Sequence, residues 1–147
     1  MTLEFHATPE EVMRAVEAVQ ELGRRQKLAD KDIFALAVAL EESASTIVDH
    51  AYARDPRRTW RLNTECGPLT ATLELTDDGP EFDPTRHLAR QAGQSSEDAA
   101  PGGLGIRVVR KFIDQISYAR MGEKNVLRLV KHLSVRDCND SAKPIKP

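Results

Sequence analysis

Apolar residues recur along this chain at two different periods, and the switch between them marks out the elements. Val12, Val16, Val19 and Leu22 or Gly23 stand three or four residues apart, the spacing of one helical face. Thr8-Pro9-Glu10-Glu11 just ahead supplies a cap residue, a proline for the first helical position and acids for the first turn, so a helix is expected from there to about Lys27. Asp30 reads as the cap of a second, longer helix that runs to about Tyr52 or Arg54, where Asp55-Pro56 ends it. Its apolar face is Ile33, Leu36, Leu40, Ala44, Ile47 and Ala51, expected to pack on a sheet.

The period then falls to two. Trp60, Leu62, Thr64 and Cys66 alternate on one strand, Gly67-Pro68 turns the chain, and Leu69, Ala71, Leu73 and Leu75 alternate on the next, an antiparallel hairpin. Leu3 to Ala7 reads as a short edge strand. From about Pro84 to Pro101 the chain is polar and poor in large apolar residues, a length of loop that is usually functional or mobile. Ile106, Val109, Ile113 and Ile116 mark a third helix. Tyr118 to Arg120, a turn at Gly122-Glu123-Lys124-Asn125, and Val126 to Val130 form a last hairpin, with Phe82 expected in the core beneath the preceding turn. Helices and hairpins in this order give an α/β (α+β) two-layer sandwich, a mixed and largely antiparallel sheet with helices on one face. One domain is expected over residues 1–134, with a polar tail at 135–147.

Composition narrows the function classes. A net charge of −2 and a pI near 6.1 offer no excess of positive charge to follow a nucleic-acid backbone. No apolar run is long enough to span a membrane, and the N-terminus lacks a basic segment followed by an apolar one. Cys66 and Cys138 have neither metal spacing nor the pattern of a disulfide framework. A soluble, cytoplasmic chain with reduced thiols is the expectation.

Three short constellations carry chemistry. Glu42, Thr46, Asp49 and His50 fall on the polar side of the second helix, either a solvated face or a set able to hold a cation, a water or a phosphate. Asp77-Asp78-Gly79-Pro80 ends a strand; it is an ordinary turn or a nucleotide site, because a buried carboxylate can accept a hydrogen bond from an exocyclic amine while glycine leaves room for the ring. Gly102-Gly103-Leu104-Gly105 opens a helix, a hinge or a place where free amides meet phosphate. It lacks the Gly-Lys-Ser/Thr ending of a P-loop and follows no strand of a βαβ unit.

Taken in order, Glu42-x-x-x-Thr46-x-x-x-His50-Ala51-Tyr52, Asp77-x-Gly79-x-x-Phe82-Asp83-Pro84 and Gly102-Gly103-x-Gly105-Ile106 resemble the anti-sigma-factor serine/threonine kinases of the histidine-kinase-like ATPase superfamily, over roughly residues 3 to 133. The resemblance implies ATP and Mg²⁺ as cofactors, with ATP held between the helix layer and a lid where the polar segment lies. It implies Glu42 as general base for a substrate hydroxyl, Asp77 as the adenine-reading carboxylate with Gly79 beside the base, and Gly102, Gly103 and Gly105 at the phosphates, with Thr46 and His50 lining the same site. Arg14 is the counterpart of an arginine that meets the partner or the terminal phosphate. The implied partners are an anti-anti-sigma protein and a sigma factor, and the implied assembly is a homodimer. One position departs: where the family has a metal-ligating asparagine, this chain has Thr46, whose shorter side chain reaches less far, with Ser45 and Asp49 as nearby oxygen donors.

Overall fold

The computed structural model describes residues 1–86 and 103–134. Most of the polar segment anticipated as a lid, Gly102, and the anticipated tail at 135–147 lie outside the described residues.

Strand β1 (Thr2–His6) leads into helix α1 (Pro9–Arg25) and helix α2 (Asp30–Thr46), which continues as a π-helical turn over Ile47–Ala51. Strands β2 (Thr59–Cys66) and β3 (Thr70–Asp77), helix α3 (Gly103–Phe112) and strands β4 (Gln115–Met121) and β5 (Lys124–His132) follow. The five strands form one sheet in the order β1-β2-β3-β5-β4, and every neighbouring pair is antiparallel. The mixed character allowed by the sequence is absent from this sheet. Trp60 and Leu62 on β2, Leu73 and Leu75 on β3 and Leu129 on β5 are fully or almost fully buried. They meet Leu36, Leu40, Ala44 and Val48 from the helix layer and Ile106 and Val109 from α3 in one core. The alternation read from the sequence is this inward face.

Local chemistry explains the boundaries. The Thr8 hydroxyl accepts the Glu11 N–H and Pro9 stands at the start of α1, as read. The helix closes in a Schellman pattern: Lys27, in the left-handed region, donates its N–H to the Arg24 carbonyl, and Leu28 donates to that of Gly23. The expected Asp30 cap is not observed. Ala29 is the cap residue, its carbonyl accepting the Asp32 and Ile33 N–H groups, and Asp30 is already helical, where its charge favours the positive end of the helix.

Three further readings are corrected. Leu69 precedes β3 and is 74% exposed; its carbonyl instead receives the Leu133 N–H. Ile116 belongs to β4, because Asp114 leaves the helix to donate its N–H to the Val130 carbonyl. Lys124 and Asn125 belong to β5, which makes the turn shorter than expected.

Candidate functional site

The site forms where α2 relaxes into its π turn opposite the ends of β3 and β5. Thr46 Oγ donates to the Glu42 carbonyl at 3.0 Å, and immediately afterwards the helix widens; the Tyr52 N–H reaches back five residues to the Ile47 carbonyl. Widened helical turns of this kind gather at functional sites. Here the turn brings Ala51 against the strand end. A methyl group built on Gly79 would stand 2.8 Å from Ala51 Cβ and 3.1 Å from Asp77 Oδ1, so the position accepts only glycine without movement.

Asp77 ends β3 with 7% of its surface exposed. Its Oδ1 receives the Gly79 N–H at 2.9 Å and Asn125 Nδ2 at 3.0 Å, and among the described residues no hydrogen bond falls on Oδ2. Burial raises the Asp77 carboxyl above the usual aspartate range; the Asn125 and Gly79 hydrogen bonds pull it down, the neighbouring Asp78 charge adds to the rise, and Arg120 opposes it. A desolvated carboxylate with one satisfied oxygen can take a donor from a ligand.

Asn125 lies directly across from Asp77 in the β3–β5 register and organises the whole corner. Its amide nitrogen also donates to the Pro80 carbonyl at 2.8 Å. Its oxygen accepts from the Tyr118 hydroxyl at 2.5 Å, from Arg120 at 3.2 Å and from the Phe82 N–H at 3.3 Å. Arg120 in turn donates to the Gly79 carbonyl at 2.9 Å. Held this way, the chain after β3 passes over the groove. Phe82 is therefore 43% exposed and lines the cavity, in place of the core position expected for it.

Tyr52 fixes the other side of the turn. Its buried hydroxyl lies 2.6 Å from Asp78 Oδ1 and 2.8 Å from the Thr59 carbonyl, sharing one proton between them, and accepts the Asp78 N–H at 2.8 Å. Burial first, then the contact with Asp78, raises the Tyr52 hydroxyl well above the ordinary tyrosine range. Arg58 bonds Asp78 at 2.8 Å and lies over the Tyr52 ring. The Tyr52 and Arg58 contacts hold the Asp78 carboxyl below its usual value against a small desolvation effect.

A continuous groove results. Its inner cavity, open to solvent at the mouth, is lined by Glu42, Ser43, Thr46, Asp77, Asn125 and Gly105 among others. A second lobe runs past His50, Ala51 and Pro80, and an outer one past Ser45, Asp49 and Val108. A methyl group on Gly105 would lie 2.9 Å from Glu42 Oε2, so the Glu42 carboxylate rests against the backbone that opens α3. Of the residues singled out from the sequence, Glu42, Thr46, His50, Asp77 and Gly105 line this groove, and Gly79 backs it. Gly103 is the first residue of α3, and Gly102 lies outside the described residues. Arg14 does not line the groove: it is exposed and pairs with Glu11 at 2.8 Å.

Sequence reasoning missed Asn125, Tyr118, Arg120 and Ser43. The usable signal was phase. Asn125 alternates with Leu127 and Leu129, so it is a polar residue on the inward face of its strand.

The donor set suits a nucleotide. Asp77 offers an acceptor oxygen unoccupied among the described residues, glycines at 79 and 105 keep the backbone bare at the groove, and the first amides of α3 are the ones an α-helix leaves unbonded. Among the described residues, no three His, Cys, Asp or Glu side chains are grouped to hold a metal. A Mg²⁺ ion here would therefore draw on Thr46 Oγ together with phosphate and water oxygens, which is its ordinary manner of binding. Asp49 is engaged by Arg54 at 2.7 Å.

The chain is a two-layer sandwich with a groove, lined by Glu42, Asp77 and Gly105, between its helices and strand ends. The chain belongs to the histidine kinase-like ATPase domain family, whose model matches residues 5–131. It is 29% identical over 131 residues to the serine/threonine-protein kinase BtrW of Bordetella bronchiseptica, covering 89% of this chain and 92% of that protein. The RsbU and RsbW domains of Rv1364c from Mycobacterium tuberculosis share the fold, with a TM-score of 0.59 at 13% identity. That match covers 90% of this chain and 32% of the other, so the chain spans about a third of its length. Among the described residues, no helix is long and apolar enough to cross a membrane.

Proposed function

We propose that this domain binds ATP in the groove and transfers its terminal phosphoryl group to a serine or threonine of a protein partner, an anti-anti-sigma protein in the reading that the sequence motifs support. The observation that carries it is the meeting, in one groove, of Asp77, one of whose carboxylate oxygens is free among the described residues, and Glu42 against Gly105. Similarity along nearly the whole chain to a protein named as a serine/threonine kinase supports the same reaction class.

In this reading Asp77 accepts the exocyclic amine of adenine, Gly79 lets the base approach, and the amides opening α3 meet the phosphates. Glu42 would take the proton from the attacking hydroxyl as the oxygen–phosphorus bond forms. Mg²⁺, when bound, would neutralise charge on the phosphates, with Thr46 Oγ as its side-chain oxygen ligand. A sigma factor as second partner and assembly as a homodimer, with β1 as an edge strand open to pairing, belong to the same proposal.

One observation favours a second reading. The Thr46 side chain is turned back to the Glu42 carbonyl of its own helix, and it is shorter than the asparagine the resemblance requires at that position, so the domain would sequester its partner in a nucleotide-dependent way with little transfer. Assaying wild type, Glu42→Ala and Thr46→Asn for transfer from ATP to candidate partner proteins separates the two. The kinase reading expects an active wild type that Glu42→Ala silences while ADP binding is kept. An inert wild type activated by Thr46→Asn supports the sequestering reading, and three inert proteins that still bind ATP overturn the kinase.

A further inference from the structure

Ser43 has no part in the reading above, yet it occupies an unusual place. It is the residue after Glu42 on α2, 6% exposed, and on the wall of the same inner cavity as Asp77. Its hydroxyl oxygen is fully buried and, among the described residues, has no hydrogen-bond partner. The nearby Thr46 hydroxyl shows the ordinary alternative for such a side chain, which is to bond the carbonyl four residues back. Ser43 does not take it. A buried, unbonded hydroxyl is a cost that a protein interior rarely carries without a use, and the rest of the surrounding wall is supplied largely by apolar side chains such as Ile47, Ile106, Val109 and Leu127.

We propose that Ser43 is a base-reading residue, its hydroxyl donating to the ring nitrogen next to the exocyclic amine of adenine while Asp77 accepts from that amine. The inference rests on the groove being the nucleotide site and deepens it. Asp77, an acceptor, recognises the amine; Ser43, a donor, recognises its unprotonated neighbour. Together they present an acceptor and a donor to an amidine edge. Guanine reverses both groups at that edge, offering a carbonyl where adenine has its amine and an N–H where adenine has its bare nitrogen; the acceptor-only Asp77 then faces a carbonyl, while the Ser43 hydroxyl can turn to accept the N–H. Discrimination of this kind is large when the groups in the site are left unpaired by the wrong ligand. Selectivity against guanine thus falls on Asp77, and Ser43 adds affinity through the adenine ring nitrogen; no other side chain on the α2 wall of this cavity has an unpartnered buried hydroxyl among the described residues.

The test is calorimetric titration of the full chain with ADP and 1-deaza-ADP, in which a C–H replaces that ring nitrogen, using wild type, Ser43→Ala and Asp77→Asn. Wild type is expected to bind 1-deaza-ADP about five- to tenfold more weakly than ADP, the size of one neutral hydrogen bond. Ser43→Ala is expected to bind ADP more weakly by the same factor, to lose its discrimination against 1-deaza-ADP, and to melt no lower than wild type. A purely structural role for the hydroxyl would move the melting temperature and leave the ratio between the two ligands intact. Ser43→Ala binding ADP as tightly as wild type, or keeping the full preference for ADP over 1-deaza-ADP, overturns the role of Ser43. If Asp77→Asn meanwhile loses ADP, the nucleotide site itself stands. A folded wild type that binds no adenine nucleotide overturns both, and wild type that does not distinguish 1-deaza-ADP overturns Ser43 without any variant.

Discussion

Asn125 is the side chain on which the site's geometry turns. It bonds Asp77 and the Pro80 carbonyl with its nitrogen and receives Tyr118, Arg120 and Phe82 on its oxygen, so removing it leaves several buried or half-buried groups without partners. Asn125→Ala is expected to lower stability by about 2 kcal/mol, the middle of the range for unsatisfied buried polar groups, and to raise the Asp77 carboxyl further, since the largest of the hydrogen bonds opposing its desolvation disappears. Thermal melts and carbon NMR titration of the carboxyl check the two effects. The Asp77 shift also sets a pH dependence. Its folded value lies above the unfolded one, so the folded state holds the proton longer, and this residue subtracts stability as pH rises from the ordinary aspartate range through the raised value. Nucleotide affinity runs the other way. It falls as pH drops through the raised Asp77 value, because a protonated carboxyl has lost its acceptor, and titrations with ADP from neutral to mildly acidic pH measure that fall. An affinity flat across that window removes Asp77 from the contact.

At the scale of elements, the π turn decides which residues share the groove. Ala51 reaches Gly79 because the helix widens after Thr46. Gly79→Ala forces a methyl against Ala51 Cβ, an atom that cannot swing aside, and is expected to cost about 1–3 kcal/mol in a chemical melt. Gly105→Ala meets the far end of the Glu42 side chain, which can move. It is expected to spare stability and ADP affinity while reducing phosphoryl transfer, as read by comparing transfer rates with calorimetry. The sequence announced the strands and the first helix well, since alternation and the Thr8-Pro9 start are local signals. It did not announce the end of α2, because nothing in the composition of Ile47–Ala51 separates a widened turn from an ordinary one. Asp30 misled for a related reason: Ala29 caps with its backbone alone, leaving no side-chain signature. Phe82 was read as core because its N–H is held by Asn125 from a distant strand, a long-range contact that no local pattern encodes.

For the molecule as a whole, the layer architecture was legible from the order of the periods, and the motifs at Glu42, Asp77 and Gly105 converge in space as their order along the chain implied. The network that orients Asp77 was not legible, since it depends on the pairing of β3 with β5 across an intervening helix. The open edge at β1 leads to an expected dimeric mass in light scattering at tens of micromolar protein; a monomer there counts against that assembly. The central claim is that this groove holds ATP through Asp77, and titration calorimetry of ATP into wild type and Asp77→Asn tests it most directly. The substitution keeps an oxygen for the Gly79 and Asn125 bonds but replaces the free acceptor with a donor. It is expected to weaken ATP by about 1.5–3 kcal/mol, the value of a hydrogen bond to a charged group, with a melting temperature equal to or above that of wild type. An Asp77→Asn protein that binds ATP as tightly as wild type, or a folded wild type that binds none, contradicts it.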